Sequence, residues 1–408
     1  MNVVVLSFDQ LALTWLGCYG NQWLQTRNFD RFATRAVVFD RCYAESVAPA
    51  TTSHAWWDVR YRNLMAQSAV TSNLFENVEE MEVRLIALAE GELSEHRVRV
   101  DEAAKWRATG EGEDGTLAEL IEAGRQAIEG ASPDEQLLIW LKAFGSDSTE
   151  VPAIDFIERY AEDEGLEPTE EMLTEWLVIM SQPELFAQLD EDQQQDLQGI
   201  FAAARVMEMD AALGEVWDAI GERSDGSDWR LIVTSASGEG MRELSTNRVN
   251  VPLLIGCPTW EESRRRPELV STQDVPMTIL EWFSPEESRA NVVERYGGIG
   301  ISLEEIIRDP RRHYRDFICF TGTGGEMGLA TKHYFLTARW DSEQKSLIEE
   351  SQHLFVLPED RSNKINVAGQ DFEVTAALVE RLTAFVHQIE AGDQPALNFF
   401  ANPSIAAL

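Results

Sequence analysis

The stretch NVVVLSFDQ, residues 2–10, is a short apolar run that ends in a carboxylate and an amide. An apolar run of this length is typical of a strand that is buried on both faces of a parallel sheet. Ligands of open α/β sheets bind beyond the carboxyl ends of the strands. Asp9 and Gln10 therefore stand where a ligand site is expected, and a strand-end Asp is a natural ligand for a hard cation.

Outward from this strand, apolar runs alternate with helical patterns. The apolar runs predict strands at residues 3–8, 37–44, 81–88 and 135–143 and in the stretches WRLIVTS and RVNVPLLIG. Helical spacing predicts helices at residues 26–35, where Asn28 is a candidate cap, and at residues 54–64, 117–128 and 192–220. The alternation predicts an α/β fold with a mostly parallel central sheet and helices on both faces.

The pattern changes near residue 314, where the short strands DFICF, HYFLTARW and HLFVLP follow one another before a closing helix at residues 372–388. We therefore predict two domains, an α/β domain at residues 1–313 and a small α+β subdomain at residues 314–408 that packs on it. The loop TGTGGE, residues 321–326, is rich in glycine but lies between strands and lacks a following Lys-Ser/Thr. It predicts a turn and not a phosphate cradle.

The composition is strongly acidic, with 34 Lys and Arg against 71 Asp and Glu and a net charge of −37 over 408 residues. This balance excludes a general binder of nucleic acid, which needs a positive face, and it disfavours anionic membrane surfaces. No apolar run reaches the roughly 18 residues of a membrane span. The start MNVVVLSFD lacks a basic region before an apolar segment, which predicts a cytoplasmic protein. The oligomeric state is left open.

The stretch VAPATTSHAWWDV, residues 47–59, follows a predicted strand and places three hydroxyls and an imidazole in a row. The hydroxyls of Thr51, Thr52 and Ser53 are either candidate nucleophiles or caps of the helix predicted from residue 54. His54 is either a catalytic group or a helix-start imidazole packed by the two tryptophans that follow. The strand end at residues 235–239 is expected to converge with this loop and with Asp9.

The opening NVVVLSFDQLALTWLGCYGNQWLQTRNFDRFATRAVVFDRCYAES strongly resembles the start of sulfatases, in the alkaline-phosphatase-like superfamily. The resemblance lies in a strand that ends in Asp, in L-G-C-Y-G-N, in T-x-N-x-D-R-F-A and in F-D-x-x-Y-A. It continues in register through MDAALGEVWDAI, RLIVTSASGEG, VNVPLLIGCP, STQDVPMTILEWF, ISLEEII and HLFVLPEDRSNKINVAG. It covers nearly the whole chain and implies the sulfatase fold.

In sulfatases a divalent cation sits among acidic side chains, and a formylglycine, or a Thr or Ser in phosphatase-type relatives, attacks sulfur or phosphorus. By this resemblance Asp9 matches the first metal aspartate, and Gln10 matches a position that is often Asp. His54 matches the Arg or His of the nucleophile motif. The nucleophile position then falls on Ala50, or on Thr51 if the match slips by one residue.

The resemblance implies that the second metal motif is degenerate, because its Asp is Ala236 and its His is Ser237. Ser235 and Glu239 of that motif survive and are candidate binding residues. Asp147 is the acid nearest to a third motif. Ca²⁺ takes about six to eight oxygen ligands, and one secure carboxylate provides far fewer.

We therefore predict a sulfatase-like protein that is catalytically inactive or strongly impaired, needs no cofactor and retains a pocket for a small sulfated or phosphorylated ligand. The alternative is an active metal-dependent hydrolase of sulfate or phosphate esters that uses Thr51. It would need one Ca²⁺ or Mg²⁺ ion, held by Asp9, Gln10, Asp147 and Glu239. A third possibility is a structural or assembly role in which the acidic surface is the interface.

Overall fold

The computed structural model describes residues 1–58, 74–90, 115–146, 151–223, 226–240, 244–287, 300–309 and 312–391. The strands are β1 Asn2–Gln10, β2 Ala36–Tyr43, β3 Arg84–Ala89, β4 Leu137–Ala143, β5 Trp229–Ser237, β6 Asn250–Val251, β7 Leu253–Gly256, β8 Arg264–Ser271, β9 Phe317–Thr321, β10 Glu326–Thr331, β11 Tyr334–Asp341, β12 Ser346–Leu347 and β13 His353–Val356. Each predicted apolar run coincides with one or two of these strands. β8, β10 and β12 were not predicted.

Strands β1 to β8 form one mixed sheet in the order β3-β4-β1-β5-β7-β2-β6, with β8 paired to β2. β1 runs parallel to β4, from Asn2 opposite Leu137 to Phe8 opposite Ala143. β2 runs parallel to β8 and antiparallel to β6. Side chains of both β1 and β4 are buried along almost their whole length, as expected for strands covered on both faces. The predicted α/β class with a mostly parallel sheet is confirmed.

The helices are α1 Arg27–Ala33, α2 Pro49–Asp58, α3 Leu74–Glu80, α4 Gly115–Glu129, α5 Ile154–Asp163, α6 Glu170–Ser181, α7 Pro183–Phe186, α8 Glu191–Gly221, α9 Thr246–Val249, α10 Asp274–Phe283, α11 Leu303–Arg308 and α12 Phe372–Glu390. None of the helices in the described ranges is long and apolar enough to cross a membrane. The part of the predicted helix 54–64 beyond residue 58 lies outside the described residues.

The chain folds into two compact units. The first contains Met1–Ala36, Leu85–Val233 and Ile255–Ser263, and the second contains Val37–Arg84, Thr234–Leu254 and Arg264–Leu408. The predicted domain boundary at residues 313 and 314 stays a prediction.

Helix α8 organises the first unit, because α1, α4 and α5 all pack against it. It begins with a capping box formed by Asp190 and Gln193. Its Asp210 carboxylate accepts hydrogen bonds from the backbone N–H groups of Asn28 and Phe29, both at 2.9 Å. Asn28 was predicted to cap α1, and this is wrong, because Asn28 lies inside the helix and Asp210 supplies the acceptor.

The second unit includes a small antiparallel sheet in the order β12-β11-β10-β9, with β13 paired to β11. Leu378, Leu382 and Phe385 of α12 pack against it in one apolar core. β9 and β10 are joined by the predicted turn, in which Gly324 and Gly325 adopt φ angles of 59° and 82°. These positive angles favour glycine and account for the glycine-rich sequence.

Candidate functional site

Asp9 and Lys142 form an ion pair at the carboxyl ends of two neighbouring strands. In the parallel ladder Ser7 of β1 lies opposite Lys142 of β4. Side chains two residues apart on a strand point to the same face, so Asp9 and Lys142 share one face of the sheet. The Lys142 Nζ donates to Asp9 Oδ2 at 2.7 Å, and the two side chains are only 14% and 17% exposed. Burial raises the pKa of Asp9, although the Lys142 ammonium opposes this rise.

A second charged cluster begins at Glu90, the residue after β3. Arg205 of α8 donates to both carboxylate oxygens of Glu90, at 2.8 and 2.7 Å, and to Glu208 Oε2 at 2.6 Å. The three side chains are at most 8% exposed. Glu90 also accepts a hydrogen bond from the backbone N–H of Phe144 at 2.6 Å, just beyond Lys142. The negative charge of Glu90 contributes to the raised pKa of Asp9, so the two clusters interact.

Gln10 fixes the loop that follows β4. Its carbonyl accepts a hydrogen bond from the backbone N–H of Ser146 at 2.9 Å. A Cβ at position 145 would lie 2.4 Å from both the Cβ and the backbone N of Gln10, so only Gly145 allows this approach. The predicted ligand Asp147 comes next in the sequence and lies outside the described residues.

In the second unit, backbone hydrogen bonds hold the segment that leads into α2. Thr321 at the end of β9 donates its N–H to Glu45 O at 2.8 Å, and the Val47 N–H donates to Thr321 O at 3.2 Å. Helix α2 then begins at Pro49, whose fixed φ suits the first position of a helix. The helix predicted from residue 54 therefore starts five residues earlier.

This earlier start places Thr51, Thr52 and Ser53 inside α2, so the predicted capping role of their hydroxyls is wrong. Thr52 is fully buried, and its Oγ1 donates to Ser46 O at 3.2 Å. Thr51 is half-buried, and Ala50 is exposed. His54 also lies in α2, but its side chain is outside the description, so its predicted catalytic role stays a prediction.

The end of β5 turns its polar groups inwards. Ser235, Ala236 and Ser237 are fully buried, and the Ser235 hydroxyl donates to the carbonyl of Ser237 at 2.7 Å. The next residue, Gly238, approaches the backbone of α9 so closely that a Cβ would lie 2.0 Å from the carbonyl oxygen of Asn247. Glu239 is half-buried. The roles of Ser235 and Glu239 as binding residues stay predictions.

The predicted site residues thus fall into two sets, with Asp9 and Gln10 in the first unit and the remaining described ones in the second. Sequence reasoning missed Lys142, Glu90 and Arg205. One signal was present, because Lys142 is the charged residue in the otherwise apolar run LLIWLKAF.

Several solved structures share this fold. A protein of glycosaminoglycan metabolism in Bacteroides thetaiotaomicron matches with a TM-score of 0.70 at 12% identity, covering 96% of each chain. A 2-O GAG sulfatase matches with a TM-score of 0.66 at 14% identity over 99% of this chain and 96% of that one. The phosphonate monoester hydrolase of Agrobacterium radiobacter matches with a TM-score of 0.66 at 15% identity over 95% and 96% of the two chains. The chain has the sulfatase fold.

The resemblance found in the sequence is therefore confirmed at the level of the sulfatase fold. No protein-family model matches the sequence, and a comparison with curated protein sequences gives no match either.

By resemblance Asp9 matches a metal-binding aspartate of sulfatases, but the described residues around Asp9 do not fit a divalent cation. The Asp9 carboxylate is already engaged by an ammonium group at 2.7 Å. Within the described ranges, no three His, Cys, Asp or Glu side chains are grouped so that they could hold a metal ion. Both Ca²⁺ and Mg²⁺ need a shell of oxygen ligands, and an ammonium at the first of them opposes a second cation.

Proposed function

We propose that this chain is a sulfatase-like protein that binds a small sulfated or phosphorylated ligand without hydrolysing it. The observation that carries this proposal is the end of β5. Ala236 and Ser237 stand where sulfatases, by resemblance, have a metal-binding Asp and His, and both are fully buried. This strand end therefore supplies neither a carboxylate nor an imidazole at those two positions.

The burial of the hydroxyl groups in α2 also supports a protein that does not hydrolyse its ligand. Thr52, which is hydrogen-bonded to Ser46, and Ser53 are both fully buried, which leaves half-buried Thr51 as the candidate nucleophile. A threonine hydroxyl is a weak nucleophile unless a base or a metal activates it. Loss of a single oxyanion donor costs roughly 10²–10³ in rate, and loss of the metal should cost far more.

The ligand class is supported by the shared fold. Both the 2-O GAG sulfatase and the phosphonate monoester hydrolase carry it. A scaffold that serves enzymes with these names is suited to a tetrahedral anion. The cytoplasmic location and the absence of nucleic-acid and membrane partners stay sequence-based expectations, and the oligomeric state stays open.

Two measurements on the intact protein test the proposal. With p-nitrophenyl sulfate and p-nitrophenyl phosphate, turnover should stay at the buffer level with or without added Ca²⁺ or Mg²⁺. Inorganic sulfate or phosphate should raise Tm in a saturable way at millimolar concentration, because a ligand at 100 times its Kd adds about 2.7 kcal/mol. A rise that only grows in proportion to the salt concentration reports the general stabilisation by these excluded anions and would refute a binding site.

The contrary outcomes are distinct. Turnover that disappears in both Thr51→Val and Asp9→Ala would establish the active hydrolase instead. A Tm that responds equally to sulfate, phosphate and chloride would refute anion binding and favour the structural role.

A further inference from the structure

The sheet itself fixes the position of Lys142. Its backbone lies opposite Ser7 in the β1–β4 ladder, and its carbonyl accepts a hydrogen bond from the Glu90 N–H at 3.0 Å. On the same face the Trp140 Nε1 donates to Ser7 Oγ at 2.9 Å. The Lys142 side chain therefore extends from a backbone that the sheet holds in place, and its ammonium contacts Asp9.

Among the described charged groups that act on Asp9, Lys142 is the one of opposite sign. The nearby Glu90 is also negative, and its own carboxylate is fully engaged by the buried guanidinium of Arg205. Arg205 in turn also pairs with Glu208. Among these five side chains, the Lys142 ammonium is the group that contacts Asp9 and compensates its charge.

We propose that Lys142 is the resident cation of the Asp9 site, where its ammonium takes the place of the divalent ion that the sulfatase fold implies. A divalent ion on the same carboxylate would have to displace the ammonium or lie beside it, and like charges at such distances repel strongly. The protein therefore folds without a metal ion at Asp9. This inference does not depend on whether the protein binds an anionic ligand.

Metal analysis of the purified wild-type protein gives the first test. We expect no stoichiometric Ca²⁺, Mg²⁺, Mn²⁺ or Zn²⁺, and the same Tm in EDTA as in millimolar CaCl₂ or MgCl₂. A tightly held ion whose removal by EDTA lowers Tm would overturn the proposal, and this result needs no variant.

A double-mutant cycle gives the second test. Lys142→Met and Asp9→Asn each leave one partly buried charge without its partner, and each should lower Tm by roughly 5 °C. The double variant should lose less than the sum of the two, because it removes both charges together. Strictly additive losses would overturn the ion pair.

Two further variants control for trivial effects. Lys332→Met makes the same change at an exposed position and should leave Tm nearly unchanged. Lys142→Arg keeps the positive charge and should retain most of the wild-type Tm. This variant tests the role of the charge even if Lys142→Met fails to fold. An equal loss in Lys142→Arg and Lys142→Met would overturn the role of the charge.

Discussion

Replacing Arg205 with methionine should destabilise the protein by about 3–5 kcal/mol, because the change leaves two buried carboxylates without their counter-ion. Arg205 is 3% exposed, and its guanidinium contacts Glu90 and Glu208 at distances between 2.6 and 2.8 Å. Two unit charges 4 Å apart interact by about 4 kcal/mol at an effective dielectric constant near 20, which agrees with this range. Methionine retains much of the side-chain volume, so the loss reports the charge more than a cavity.

The loss should depend on pH. Burial already raises the pKa of Glu208 even with Arg205 beside it, and removal of the guanidinium raises it further. A carboxyl whose folded-state pKa is raised favours folding at low pH, and this contribution is lost as the pH rises through the folded-state pKa. The difference in stability between wild type and Arg205→Met should therefore be smaller at pH 5 than at pH 8.

Urea denaturation, followed by tryptophan fluorescence and far-UV circular dichroism at the two pH values, measures this difference. Arg125→Met is the matched control, because Arg125 is 37% exposed and pairs with Glu122 and Glu129 on the surface of α4. Surface pairs of this kind contribute at most about 1 kcal/mol. The reasoning is refuted if Arg205→Met loses no more stability than Arg125→Met, or if its loss is the same at both pH values.

The other predictions concern the backbone and a helix cap. Gly145→Ala should lower Tm, because the added Cβ would lie 2.4 Å from Gln10. Gly199 lies in open space on α8, so Gly199→Ala should stabilise the protein by about 0.5–1 kcal/mol. Equal Tm shifts in the two variants would contradict the close approach at Gly145. Burial also raises the pKa of Asp210, so its carboxyl favours folding below its ordinary pKa and loses this contribution as the pH rises through the raised value. Wild type should therefore gain Tm relative to Asp210→Asn as the pH falls, and a pH-independent difference would contradict this.

The main fold was predictable because its signals are local. β1 and β4 are nearly continuous apolar runs, which indicate buried parallel strands without any knowledge of their partners. β8 escaped prediction because it begins with three charged residues instead of an apolar run and contains a proline, which is unusual inside a strand. The cap of α1 also escaped, because the acceptor Asp210 lies 182 residues away from Asn28 in the sequence.

The charge of the candidate site depends on strand pairing, which a sequence does not state. Asp9 and Lys142 are 133 residues apart, and a lysine at the end of an apolar run can point to either face. A slip of one residue between β1 and β4 would move Lys142 to the opposite side of the sheet from Asp9. The observed register instead brings the Lys142 ammonium to Asp9, which by resemblance matches the first metal aspartate of sulfatases. Ala236 and Ser237, which by resemblance occupy the positions of a metal-binding Asp and His, lie on another strand, β5. The double variant Ala236→Asp/Ser237→His should therefore not bind a divalent ion, measured by metal analysis, while Lys142 remains paired with Asp9.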